Sequence, residues 1–253
     1  MRGVSIHRVL PVLVVLLALG LSTSAGATPV VTASARIVPI RGFKGTGRLG
    51  QGAAVESKYT ITGTEFPGGF PSPLTKAVVY LPEGTKLHPQ GFSTCAASVL
   101  IASGPSACPK KSIASPVGKA GVADFIGGSP ITETATLQAF FSPGGGLNFY
   151  ANAEAPISAQ IVSQGHFTKA SAPYGLKFEA EVPLIEALPG APDVSVTSID
   201  VLVGAAYRKK GKTISYGTVP KKCPKGGFPA KSELTFHSGE TVTQAYRVPC
   251  PKR

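Results

Sequence analysis

Tryptophan is absent from this chain of 253 residues. That removes the flat ring on which sugar faces stack best. Of Tyr150, Tyr174, Tyr207, Tyr216 and Tyr246, only Tyr150 falls on the wet side of a clean alternation. A carbohydrate platform is therefore disfavoured. No apolar run after Ala27 is long enough to suggest a membrane helix. No Gly-x-Ser-x-Gly elbow occurs, so a serine-hydrolase turn has no sequence support. No Cys-x-x-Cys occurs and the histidines are scattered, which excludes a zinc ribbon or finger. Aspartates are few (Asp124, Asp193 and Asp200) and isolated, and calcium needs clustered oxygens. None of these patterns requires a metal or an organic cofactor.

What is present begins with a leader. Arg2, His7 and Arg8 form a basic start, Val9 to Leu21 an apolar stretch of 13 residues, and Ala25-Gly26-Ala27 a small-x-small cleavage pattern. Residues 1–27 read as a signal peptide and residues 28–253 as a secreted, extracellular protein, with association with the cell wall as the expected further placement. No cysteine follows the apolar stretch closely, which argues against a lipid anchor. Export gives the four cysteines their meaning, since an even count in an oxidising compartment reads as disulfides. Three connectivities exist. Cys95 with Cys108 and Cys223 with Cys250 are favoured, because each pair is close in sequence and flanked by turn residues. Each loop would stabilise the fold by roughly 3 to 3.5 kcal/mol in the chain-entropy picture.

Glycine (30) and proline (23) punctuate the chain every few residues, which suits short strands and argues against long helices. Val55, Ser57, Tyr59 and Ile61 alternate with polar neighbours, as do Leu147, Phe149, Ala151 and Ala153. Similar alternation runs through 134–141 and 176–182, while 77–81 and 199–206 are more continuously apolar. Pro143 to Gly146 reads as a hairpin, and a long strand is expected over 194–207. About ten strands at this spacing predict an all-β fold, a two-sheet antiparallel β-sandwich of jelly-roll or Ig-like type. One short helix is expected near 94–102, with Ser93-Thr94 as its cap. No low-complexity linker divides residues 28–253, so a single domain with a basic C-terminal segment, 208–253, is preferred over two.

The formal charge of +12 is concentrated late: residues 200–253 carry 11 basic and 3 acidic side chains. Arg208, Lys209, Lys210 and Lys212, then Lys221, Lys222 and Lys225, are the candidate anion-binding residues. Such a field attracts anionic polymers, here a cell-wall polymer or another surface component, weakly and with strong salt dependence. Nucleic acid is not expected as a partner, because no aromatic-basic stacking pattern accompanies the charge.

Catalytic candidates are thin. Glu179 and Glu181 share a strand face at a spacing a glycosidase could use, but the alternation around them is that of a solvated face. His237, followed by Ser238-Gly239, reads as a strand end and turn, and His166 as a strand residue without a metal partner. Leu81-Pro82-Glu83-Gly84-Thr85 has the wrong residue order for a wall-sorting signal.

That segment, Cys95, Cys108-Pro109-Lys110-Lys111-Ser112, Cys223-Pro224 and Cys250-Pro251 together resemble a group of exported, Ala/Gly/Pro-rich proteins of high-GC Gram-positive bacteria, a group without an assigned function. The resemblance implies secretion and a disulfide-stapled β-fold, and transfers no catalytic residue. The expected function is non-catalytic binding at or near the cell envelope. A secreted hydrolase of polysaccharide or ester is the alternative, and it requires Glu179 with Glu181, or His237 with a carboxylate, to line a concave pocket.

Overall fold

The computed structural model describes residues 28–251, so the expected signal peptide, 1–27, lies outside the described residues. The first strands are β1 (Val30–Val38), β2 (Ala54–Thr62), β3 (Leu74–Pro82) and the short β4 (Lys86–Leu87), followed by one helix, α1 (Ala97–Ser103). A meander of β5 (Gly118–Ile126), β6 (Ser129–Phe141), β7 (Leu147–Ala153), β8 (Ala159–Lys169) and β9 (Tyr174–Glu181) comes next. Then follow β10 (Ser195–Val203), β11 (Ala206–Lys209), β12 (Lys212–Ser215), β13 (Gly217–Thr218), β14 (Phe228–Phe236) and β15 (Thr241–Val248).

Eleven of these form one antiparallel sheet in the order β1-β2-β10-β5-β6-β7-β8-β9-β3-β14-β15. The pairs β11-β12 and β4-β13 lie apart from it. The sheet curls until β15 packs against β1, giving a near-barrel. The all-β antiparallel class is as the alternation predicts, but the two stacked sheets are not seen as such. Period-two alternation marks one buried face per strand and is the same in both architectures. The ladders decide: β10 pairs with both β2 and β5, and β3 with both β9 and β14, so no break separates two layers.

Between β1 and β15 runs a seam. Neither strand has a second ladder partner, and no backbone hydrogen bond joins them among the described residues. Side chains close it instead. Val31 and Ala33 share an apolar cluster with Val242 and Tyr246, and Ala35 and Ile37 share another with Tyr246 and Val248. From inside, Tyr59 on β2 meets Ser232 Oγ on β14 at 2.9 Å, and Ser232 meets Tyr246 on β15 at 3.3 Å. Burial pushes the Tyr59 hydroxyl well above its ordinary pKa, so it stays a neutral hydrogen-bonding group.

The registers define two ends. The top carries the connections 39–53, 83–117, 142–146, 170–173 and 204–227; the bottom carries 63–73, 127–128, 154–158, 182–194 and 237–240. The long strand expected over 194–207 stops at Val203. Gly204 has φ of 155°, and a Cβ there would come within 2.4 Å of Ala54 Cα, so the chain leaves the sheet where only glycine fits.

Helix α1 also starts later than the sequence suggests. The Cys95 amide donates to Phe141 O at 2.8 Å, which binds residues before Ala97 to the sheet and leaves Ala96 as a cap without a side-chain bond. The helix covers the outer face of β6, β7 and β8, where Leu100, Phe140, Tyr150 and Val162 share a core. Both expected disulfides form, Cys95–Cys108 and Cys223–Cys250, with Cα separations of 5.5 and 6.1 Å. Among the described residues no helix is long and apolar enough to cross a membrane.

Candidate functional site

The near-barrel encloses a lumen with a cavity of 310 Å³, to which all eleven strands of the main sheet contribute. Its walls are aliphatic and aromatic, with hydroxyls from Ser57, Ser163 and Tyr59 among them. Six inward positions on six different strands are alanine: Ala35, Ala77, Ala120, Ala151, Ala180 and Ala230. A wall so thin at these points cannot fill a ring of eleven strands. Protein interiors ordinarily pack with few voids larger than a water molecule. At about 24 cal/mol per Å³, a cavity of this volume forgoes on the order of 7 kcal/mol of contact, comparable with the whole stability of many domains.

Apolar packing closes the bottom, where Val31, Ile61, Leu74, Leu234 and Phe236 meet Val182 and Val196. The top is covered by an aromatic group. Phe92 lies 4.8 Å from Phe141 and 5.7 Å from Tyr216 between ring centroids, and Tyr216 donates its hydroxyl to Gly145 O at 2.9 Å. Burial raises the Tyr216 pKa to about 12. Beside this cover lies a second, polar cavity of 410 Å³, lined by Gln51, His88, Gln90, Tyr207, Lys209 and Thr213 among others. Thr218 lines both cavities, so the polar one adjoins the apolar one there.

Charge is sorted between the two ends. The top connections hold thirteen Lys and Arg against one carboxylate, Glu83. The bottom connections hold five carboxylates (Glu65, Glu154, Glu186, Asp193 and Glu240) and no Lys or Arg. All seven candidate anion-binding residues belong to the top. Arg208, Lys209, Lys210 and Lys212 form the β11-β12 hairpin, and Lys221, Lys222 and Lys225 the loop leading to β14. All are exposed, and none makes a salt bridge among the described residues. Lys210 has φ of 48°, the one positive φ outside glycine among the described residues, and Gly211 follows at 76°. Two successive positive φ values make the tight hairpin turn that Asn-Gly favours; here a lysine occupies the strained place.

The catalytic candidates lie elsewhere. Glu179 is on the outer face, held by Lys76 at 2.5 Å and Lys177 at 2.8 Å. These ammonium groups draw its pKa down to about 2. Glu181 sits 3.5 Å from Lys76 and is exposed. His237 Nδ1 is 3.7 Å from Asp193 Oδ2 at the bottom. Neither pair lines the lumen or the polar cavity. His166 is on β8, exposed. The tyrosines do not share a platform: Tyr246 faces the lumen, Tyr207 and Tyr216 are at the top, and Tyr174 packs at a 53° tilt against Tyr80 outside. Tyr150, expected on the wet side, does face outward but is buried beneath α1. Among the described residues no group of three or more His, Cys, Asp or Glu gathers as a metal site would need.

Sequence reasoning missed the lumen and the polar cavity. Its available signal was the alanine on the buried phase of the alternating runs, most clearly Ala151 and Ala180. Alternation reports which face is buried, not whether that face meets another wall. No family model, curated protein or solved structure matches the chain.

Proposed function

We propose that this is an exported, non-catalytic binding protein that acts at or near the cell surface, held to an anionic polymer by its cationic top. The sorting of charge carries this reading: thirteen cations and one carboxylate at one end, five carboxylates and no Lys or Arg at the other. Among the described residues, four of the six lysines on the flanks of the barrel are paired, Lys58 with Asp200 at 2.5 Å, Lys76 and Lys177 with Glu179, and Lys231 with Glu233 at 2.6 Å, while Lys119 and Lys169 are not. Those at the top are left to attract a partner. Two disulfides are in keeping with an oxidising compartment. The resemblance to exported proteins noted above agrees with it.

The test is retention on immobilised polyglycerol phosphate at low salt. A K209Q/K210Q/K221Q/K222Q variant should elute at clearly lower salt than wild type. A K58Q/K76Q/K177Q/K231Q variant, with the same nominal loss of charge, should elute close to wild type. Equal retention of the first variant and wild type would refute the proposal.

A further inference from the structure

We infer that the lumen is a binding site for a single-chain anionic amphiphile, with its alkyl chain among the inward side chains of the barrel. Its charged head lies in the polar cavity at Thr218, against Lys209 and His88. The first support is the wall. Every strand of the main sheet presents apolar groups to one continuous cavity, with small side chains where larger ones would fill it. Small-molecule pockets are of this kind, apolar with a few placed polar groups.

The size sets the number of chains. A cavity of about 150 Å³ admits one benzene; at 310 Å³ the lumen offers about twice that space, enough for one chain on the order of ten to twelve carbons. Two chains would not fit. The sign of the head follows from the top. Lys209 lines the polar cavity itself, Lys210 and Lys212 are its hairpin neighbours, and Glu83 is the sole carboxylate in the top connections. Gln51, Gln90 and Tyr207 supply neutral polar groups around the same space. A carboxylate and a phosphate monoester share the chemistry this requires. The outer face agrees with a lumenal rather than a lipid-facing apolar surface. Along β2 the outward residues are Glu56, Lys58 and Thr60, the reverse of a membrane-spanning barrel with its apolar band outside.

The lumen site stands apart from the polymer-binding proposal; only the placement of the head draws on the same cationic end. The experiment uses residues 28–253, which carry the whole described fold, and displacement of tritium-labelled decanoic acid, whose chain is no longer than the lumen takes. Laurate and dodecyl phosphate should displace the probe at micromolar concentration, and whichever does so at lower concentration identifies the preferred head. Dodecanol should be about tenfold weaker, and dodecyltrimethylammonium should not compete. Ala77→Leu and Ala151→Leu each put a larger side chain into the lumen from a half-buried inward position. Each should weaken the probe at least about tenfold while raising the melting temperature. Lys209→Gln should weaken laurate about threefold to tenfold and leave dodecanol unchanged.

Wild type that binds no probe, or lumen variants that fold and bind as wild type does, would overturn the site. Dodecanol competing as well as laurate would overturn the placement of the head. If neither lumen variant folds, thermal stabilisation of wild type by laurate decides, and its absence overturns the inference. Probe binding that persists when polymer retention fails would sink the polymer proposal and leave this one intact.

Discussion

Lys210 stands where glycine or asparagine would cost the backbone less. Replacing it with Asn should raise stability by about 0.5 to 1 kcal/mol in chemical denaturation, since the side chain is exposed and only the left-handed backbone is relieved. The same change should lower the salt at which the protein leaves a polyanion. A gain in stability with a loss of retention would show that the strained residue serves binding. Asp124 presents a different local conflict. It is buried, with Oδ1 accepting the Phe125 amide at 2.7 Å and Oδ2 without a hydrogen-bond partner. Burial raises its pKa above the ordinary 3.8, so ionisation costs the folded state stability as pH rises past that value. Asp124→Asn should therefore stabilise the protein at pH 7, by about 1 kcal/mol, with the gain fading toward pH 3. Glu179 has the opposite sign. Its folded pKa of about 2 lies below the ordinary 4.5, so its contribution is complete above about pH 4.5 and is lost as pH falls toward 2. Lys76 and Lys177 are about a third exposed, and screening keeps that contribution to about 1 kcal/mol or less. Urea midpoints of Glu179→Gln should be flatter than wild type across that acid interval.

The elements differ in how firmly they are held. Strands inside the sheet have ladders on both sides, whereas β1 and β15 have one each and meet through side chains. Tyr59→Phe would remove the bridge to Ser232 and leave a buried hydroxyl short of a partner, costing about 1 to 2 kcal/mol. Amide exchange should accelerate in β1 and β15 more than in β6 or β7. Uniform acceleration over all eleven strands would mean that the bridge does not serve the seam. Helix α1 is a separate case, because it lies on the outside of β6, β7 and β8. Asn148 donates to Cys95 O at 2.9 Å, and Gln160 to Ile101 O at 3.2 Å. Leu100→Ala removes a fully buried side chain and should cost about 2 to 4 kcal/mol. The loss should register first as faster exchange in 96–104, with the barrel ladders protected. Some strand positions were legible in the sequence from alternating runs, and β2, β7 and β9 lie within two residues of their expected limits, whereas no run was read for β1, β5 or β15. The start of α1 was not legible, because a hydrogen bond from Cys95 to a strand 46 residues away sets it.

At the scale of the molecule, sequence spacing identified both disulfides, since each closes a short loop between neighbouring turns. It identified the lysine-rich segments too, though as one C-terminal block. Folding gathers that block with Arg41, Lys44 and Arg48 of the first long connection, because both connections leave the sheet at the same end. The lumen was not legible, since an inward alanine looks the same against a packed layer as against open space. Whether eleven strands close around a void or flatten into two layers depends on long-range pairing such as β10 with β2, more than 130 residues apart in sequence. The segregated charge gives the protein a directional moment along the barrel axis. In the field of a negative surface that moment exerts a torque, turning the molecule before touch so that the lysine hairpin leads and the acidic turns trail. Collisions are then biased toward one orientation, with the polar cavity beside Thr218 turned to the surface.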